Sequence, residues 1–393
     1  MKTTEMKYKL AQSSWDSEEI EVLKQVINEG NFTMGKNVKE FEESFADYFG
    51  SKHAVMVNSG SSANLLGVAS LFFKKSNPLT PGDEVIVPAV SWSTSYSPLQ
   101  QYGLKLKFVD IDIHTLNYNI DELEKAITEK TKLILIVNLL GNPNEFSRIK
   151  QIVKERDIIL FEDNCESMGA KYKNEYTGTI GEIGTFSMFY SHHICTMEGG
   201  MILTDNLELY HILVSLRAHG WTRELPKVNS LCVKEDDTFN ESFKFILPGY
   251  NLRPLEMSAA VGKVQLKKLE KFIETRRKNA EIFKDLFSSF EEVIIQKEVE
   301  TSSWFGFSIV LNNKLINRGS VLKKLSNKGI ETRPIVSGNI LNNPMLKYFN
   351  YKISGEIINA EKISKNGFFV GNSHLDLEQE LNFFKTTLYE SLY

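Results

Sequence analysis

The sequence predicts an α/β protein, a mostly parallel sheet flanked by helices, with a smaller carboxyl-terminal α+β domain. Three observations carry this. Short, continuously apolar β-rich runs recur between residues 53 and 205, helical stretches alternate with several of them, and beyond residue 257 the texture changes to a long charged helix followed by short strands and helices. Continuous apolar strands alternating with helices belong to sheets covered on both faces. One core rarely serves more than about 250 to 300 residues. For 393 residues we therefore expect two domains, 1–257 and 258–393.

In chain order, SEEIEVLKQVINEG (17–30) and VKEFEESFADYFG (38–50) space their apolar residues as helices do, and each closes on a glycine suited to a C-terminal cap. The strands expected next are HAVMV (53–57), DEVIVPA (83–89), LKLKFVDID (104–112), KLILIVNLL (132–140), DIILFED (157–163), GTFSMF (184–189) and GMILTD (200–205). NIDELEKAIT and EFSRIKQIVKER supply helices between them. The acid-rich VKEDDTFNES (233–242) reads as a solvated loop, and LKKLEKFIETRRKNAEIFKDLF as the long helix of the second domain.

Composition narrows the function. With 42% hydrophobic residues and 46 Lys+Arg against 50 Asp+Glu, the chain can bury a large core and lacks the basic excess of a nucleic-acid or polybasic membrane binder. Three cysteines, Cys165, Cys195 and Cys232, supply neither a disulfide framework nor a four-thiolate cluster. The amino terminus has no apolar signal-like region, and LLGVASLFF and LILIVNLL fall short of the roughly 20 residues that span a bilayer. A soluble cytoplasmic protein with small-molecule or protein partners is expected.

Ligands of open α/β sheets bind beyond the carboxyl ends of the strands, so the residues there come first. NSGSSAN follows the first strand, and its glycine and serines at a helix amino terminus could hold a phosphate or could simply cap the helix. Trp92 stands at the end of the second strand, where an indole can stack on a flat ring or only pack. Asp163 and Glu166 follow the fifth strand. An aspartate there can keep a pyridine nitrogen protonated, or cap the next helix.

The segment GTFSMFYSHHICTMEGGMILTD (184–205) makes the pattern specific. It resembles the sugar aminotransferase family of fold-type I pyridoxal phosphate proteins, in which a serine, an aromatic stretch and a Schiff-base lysine precede a Gly-Glu-Gly-Gly turn. Here Met197 replaces the first glycine and His192 stands at the lysine position; Lys173 and Lys227 are out of register. The family has a lysine-to-histidine branch, the 3-dehydratases of dideoxysugar biosynthesis. VPAVSWST, VNLLGNPN, EDNCESMGA, RAHGWTR, LPGYNLRPLEM and SSWFGF extend the resemblance to that branch, colitose biosynthesis included.

The resemblance implies an aminotransferase-like fold and pyridoxamine or pyridoxal phosphate held noncovalently, because an imidazole forms no stable imine. It implies that Gly60, Ser61 and Ser187 hold the phosphate, Trp92 stacks on the ring, Asp163 pairs with the ring nitrogen and Glu166 lies near the ring hydroxyl. Asn251 would reach the phosphate of a neighbouring subunit, so the resemblance implies a homodimer with shared active sites. His219 and Arg333 become substrate contacts. His192, with an unperturbed pKa near 6.5, becomes the group that moves the proton.

The implied reaction is dehydration at carbon 3 of GDP-4-keto-6-deoxy-D-mannose, with L-glutamate restoring the cofactor. Related CDP-sugar enzymes carry an iron-sulfur cluster on four cysteines and use a reductase; with three cysteines, neither cluster nor reductase is expected, nor any metal. Two other readings share these residues: an aminotransferase with its lysine replaced, and an inactive ligand-binding regulator. His192 and His193, if they lay on a strand, would face opposite sides and could not both hold one metal.

Overall fold

The apolar runs become strands. In the computed structural model, which describes residues 6–313 and 315–392, the first seven are β1 (His53–Val57), β2 (Glu84–Pro88), β3 (Lys105–Val109), β4 (Thr131–Val137), β5 (Ile159–Asp163) and, after a small hairpin of β6 (Lys171–Tyr172) and β7 (Glu175–Tyr176), β8 (Ile183–Ser187) and β9 (Gly200–Thr204). The first five residues of the amino-terminal stretch lie outside the described residues. The helices Ser17–Glu29 and Lys36–Phe49 end, as expected, on Gly30 and Gly50, both in the left-handed region at φ 72°.

Four strands follow in the second half: β10 (Val293–Ile295), β11 (Gly306–Leu311) and β13 (Gly367–Gly371) form an antiparallel sheet, whereas β12 (Tyr351–Ile353) joins the large one. The large sheet runs β1-β9-β8-β5-β4-β2-β3-β12. Neighbours are parallel from β8 to β12, and β9 is antiparallel to both β1 and β8. Alternate residues serve opposite cores: Val85, Val87, Leu133 and Leu135 enter one cluster, and Ile86, Ile134 and Ile136 the other.

The helix Glu256–Phe287 links the two parts as one 32-residue element. A division at 257/258 falls in its first turn. Its later turns join the small core with Phe283 and Phe287 against Phe307 and Phe384. Tyr8 also enters that core and donates its hydroxyl to the Gly371 carbonyl at 2.6 Å. The stretch 233–242 is mostly exposed, as expected of a solvated loop, but it holds a short helix, Thr238–Glu241, whose Glu241 is buried and accepts from the Thr222 hydroxyl. Among the described residues no helix is long and apolar enough to cross a membrane.

Candidate active site

The chain leaves β2 towards β3 on one side while β4 pairs on the other, and beyond the strand ends at this switch lies a cavity of about 610 Å³. Gly60, Ser61, Ser187 and Asp163 line it, together with Trp92, Glu166, His192 and Arg333.

Gly60 and Ser61 open the helix Gly60–Ser70, which Ser59 caps by accepting from the Ser62 amide. The amides of Gly60 and Ser61 have no acceptor within the helix, and they carry the positive end of its dipole. A Cβ on Gly60 would lie 2.5 Å from the Ser187 Cβ and 3.1 Å from the Cys165 Sγ, so glycine is what lets the helix approach the end of β8. The Ser61 hydroxyl meets the Thr94 hydroxyl at 2.9 Å, at the start of the next helix.

Asp163, buried at the end of β5, is held on three sides. Its Oδ2 accepts from Asn64 Nδ2 at 2.9 Å and from the Ser95 hydroxyl at 2.6 Å, and its Oδ1 accepts from the Cys165 amide. No helix follows for it to cap: residues 164–170 are turns. Glu166 accepts from the amide of Leu140, which takes a left-handed φ of 52°. Removal from water raises the Glu166 carboxyl to about 7, against the pull of that hydrogen bond and with a contribution from Asp163.

His192 lies in the turn between β8 and β9, not on a strand. Its ring stands edge-on to Phe305 at 5.2 Å, and its Nδ1 is buried without a partner. His193 is buried behind it, with Nε2 3.1 Å from the Ser303 carbonyl and its ring 5.9 Å from the same Phe305. The two imidazoles therefore share one aromatic neighbour, contrary to the opposite faces that strand geometry implied. The ordinary value near 6.5 does not hold for His192 either: burial, then the Arg276 charge, pull it down to about 4. Met197 has φ 68°, the left-handed backbone that suits the glycine it replaces.

Trp92, 59% exposed, stands at the rim before the helix Ser93–Gln101. Arg333 reaches the cavity from the small domain, where its backbone pairs with Phe369. Asn251 and His219 line no part of the cavity in this chain. They lie beside each other, with the Asn251 Oδ1 accepting from Arg253 Nε at 3.0 Å and the His219 ring 4.7 Å from Trp221. Among the described residues lining the cavity, none is a lysine.

A sequence model of the DegT/DnrJ/EryC1/StrS aminotransferase family matches residues 13–380. The chain belongs to this family. Within the DegT/DnrJ/EryC1/StrS family, it is 57% identical over 384 residues to the GDP-4-keto-6-deoxy-D-mannose 3-dehydratase of Yersinia pseudotuberculosis, spanning 97% of this chain and 98% of that one. Two solved structures of GDP-4-keto-6-deoxymannose-3-dehydratase, each 57% identical, superpose over 97% of this chain and all of theirs. One, with a trapped PLP-glutamate geminal diamine, has a TM-score of 0.96; the other, a mutant with bound GDP-perosamine, has 0.95.

The residues present fit the pyridoxal phosphate group of such family members: a glycine cradle at a helix amino terminus, serine hydroxyls, and a buried, triply held carboxylate in one cavity. Sequence reasoning missed Asn64, Ser95 and Phe305 as parts of this site. Asn64 follows Gly60 by four residues and so shares its helix face, the one signal that could have found it.

Proposed function

We propose that the protein is a pyridoxamine-phosphate-dependent 3-dehydratase acting on GDP-4-keto-6-deoxy-D-mannose, giving GDP-4-keto-3,6-dideoxy-D-mannose and ammonia. The observation that carries this is a histidine, with no lysine among the described residues lining the cavity, in a sugar-aminotransferase fold. The bound cofactor supplies an amine that condenses with a 4-keto group and a ring that takes up electrons. L-Glutamate restores that amine and leaves as 2-oxoglutarate. The sugar loses its 3-hydroxyl as water and the nitrogen departs as ammonia.

The residues divide the work. Gly60, Ser61 and Ser187 hold the phosphate, Trp92 covers the ring, Asp163 keeps the ring nitrogen protonated, and Glu166 lies at the ring hydroxyl. His192 takes up a proton and returns it to the departing hydroxyl. Its depressed pKa makes it a weaker base but, once protonated, a stronger acid towards a poor leaving group. Arg333 meets the substrate. Asn251 and His219 serve the cavity of a second subunit in a homodimer, a reading supported by the exposed apolar side chains Phe32, Phe243, Phe245 and Leu255 near them. We place the enzyme in the cytoplasm, without cluster, metal or reductase.

Incubation with GDP-4-keto-6-deoxy-D-mannose, L-glutamate and pyridoxal phosphate tests the proposal. A sugar nucleotide lighter by one oxygen is expected, with equal amounts of 2-oxoglutarate and ammonia. An amino sugar that keeps its 3-oxygen, or no turnover, would sink it.

A further inference from the structure

Among the described residues two arginines are buried, and they are treated differently. Arg217 pairs with Glu42 and Glu224. Arg276, 4% exposed in the middle of the helix Glu256–Phe287, has no carboxylate partner among the described residues. A guanidinium taken out of water normally keeps a counter-charge. Arg276 instead donates Nη1 to the carbonyls of Asn372, Phe305 and Trp304 at 3.0, 3.2 and 3.4 Å, and its Nε has no partner. Asn372 closes the circuit by donating Nδ2 to the carbonyls of Arg276 and Trp304.

That circuit ends at the candidate active site. Trp304 takes a left-handed φ of 47°, and Phe305, whose amide donates to the Leu140 carbonyl at 3.0 Å, presents its ring to His192 and His193. We propose that Arg276 is a positioning residue for His192, fixing the Trp304–Phe305 backbone that walls the imidazole and placing an uncompensated cation behind it.

The inference rests on the reading of His192 as the proton carrier. A domain clamp alone would be as well served by a paired arginine; the missing counter-charge is what points to His192. The other charged or titratable groups around that ring are Asp163, Cys165, Glu166, Glu198 and Arg333 in the cavity and His193 beside it. Burial lowers the Arg276 guanidinium to about 10, which leaves it cationic at neutral pH.

The test uses full-length protein carrying histidine labelled with 13C at Cε1, with the His192 resonance assigned from His192→Asn. In Arg276→Met the His192 midpoint should rise by about one pH unit, and in Arg276→Lys, which keeps the charge, by less. In both, kcat should fall at least tenfold while KM for the GDP-sugar changes little. Equal midpoints in all three proteins would overturn the proposal. If Arg276→Met does not fold, Phe305→Leu carries the positioning claim: kcat should drop with cofactor affinity retained, and an unchanged kcat would defeat it. If the wild type cannot dehydrate the sugar but Arg276→Met still raises the His192 midpoint, the proposed function falls while the electrostatic hold of Arg276 on His192 stands.

Discussion

The His192 imidazole has an unclaimed Nδ1 and a pKa drawn to about 4, so it stays neutral through the range in which most enzymes work. Since imidazole cannot take the place of a lysine amine, borohydride treatment of the wild type with pyridoxal phosphate should leave no covalent adduct by mass, and His192→Asn should lose dehydration yet bind cofactor. A lysyl adduct in the wild type would defeat the assignment. The shift also has a stability consequence. The unfolded chain takes a proton on His192 near pH 6.5 and the folded chain only near 4, so acid favours unfolding across that interval. Wild type should therefore lose stability relative to His192→Asn as pH falls from 6.5 to 4, in urea titrations at each pH. Glu166 has the opposite sign. Its carboxyl is raised to about 7, so the folded state resists its ionisation and wild type should lose ground to Glu166→Gln as pH rises from about 4.5 to 7.

Among the elements, the helix Gly60–Ser70 depends on a small residue at its first position. Gly60→Ala would push a methyl against Ser187, and the overpacking should cost roughly 1–3 kcal/mol and weaken cofactor binding, measurable by denaturation and by cofactor titration. The strands that surround this helix were legible because they are buried on both faces and read as unbroken apolar text: HAVMV is β1 residue for residue, and KLILIVNLL overlaps β4 but runs on into the turn at Leu139–Gly141. β12 left no such trace. Its three residues, Tyr351–Ile353, are all exposed at a sheet edge and carry a lysine, too short and too polar for a period to show. In the site, Asp163 and Gly60 could be found from strand ends and helix starts, whereas Asn64, Ser95 and Phe305 act through contacts over 68 residues or more, which local spacing does not encode.

At the scale of the molecule, one chain leaves Asn251 and His219 outside the cavity, and the proposed homodimer supplies them from the neighbour. Mixed dimers make this testable. His192→Asn and an Asn251→Asp variant, each nearly inactive alone, should recover about a quarter of wild-type activity when refolded together at equal amounts, because half the dimers would hold one intact site. No recovery, with mixed dimers shown by native mass spectrometry, would place Asn251 in its own subunit's chemistry. The two parts of each chain are also laced together: Tyr8 is buried in the small core, and β12 closes the large sheet along β3. During synthesis, therefore, β3 must wait for some 240 further residues before its edge partner exists, which at about 5–20 residues per second leaves that edge open for tens of seconds on the ribosome. The nascent chain spends that interval with one open strand edge, the period in which a chaperone would find most to hold.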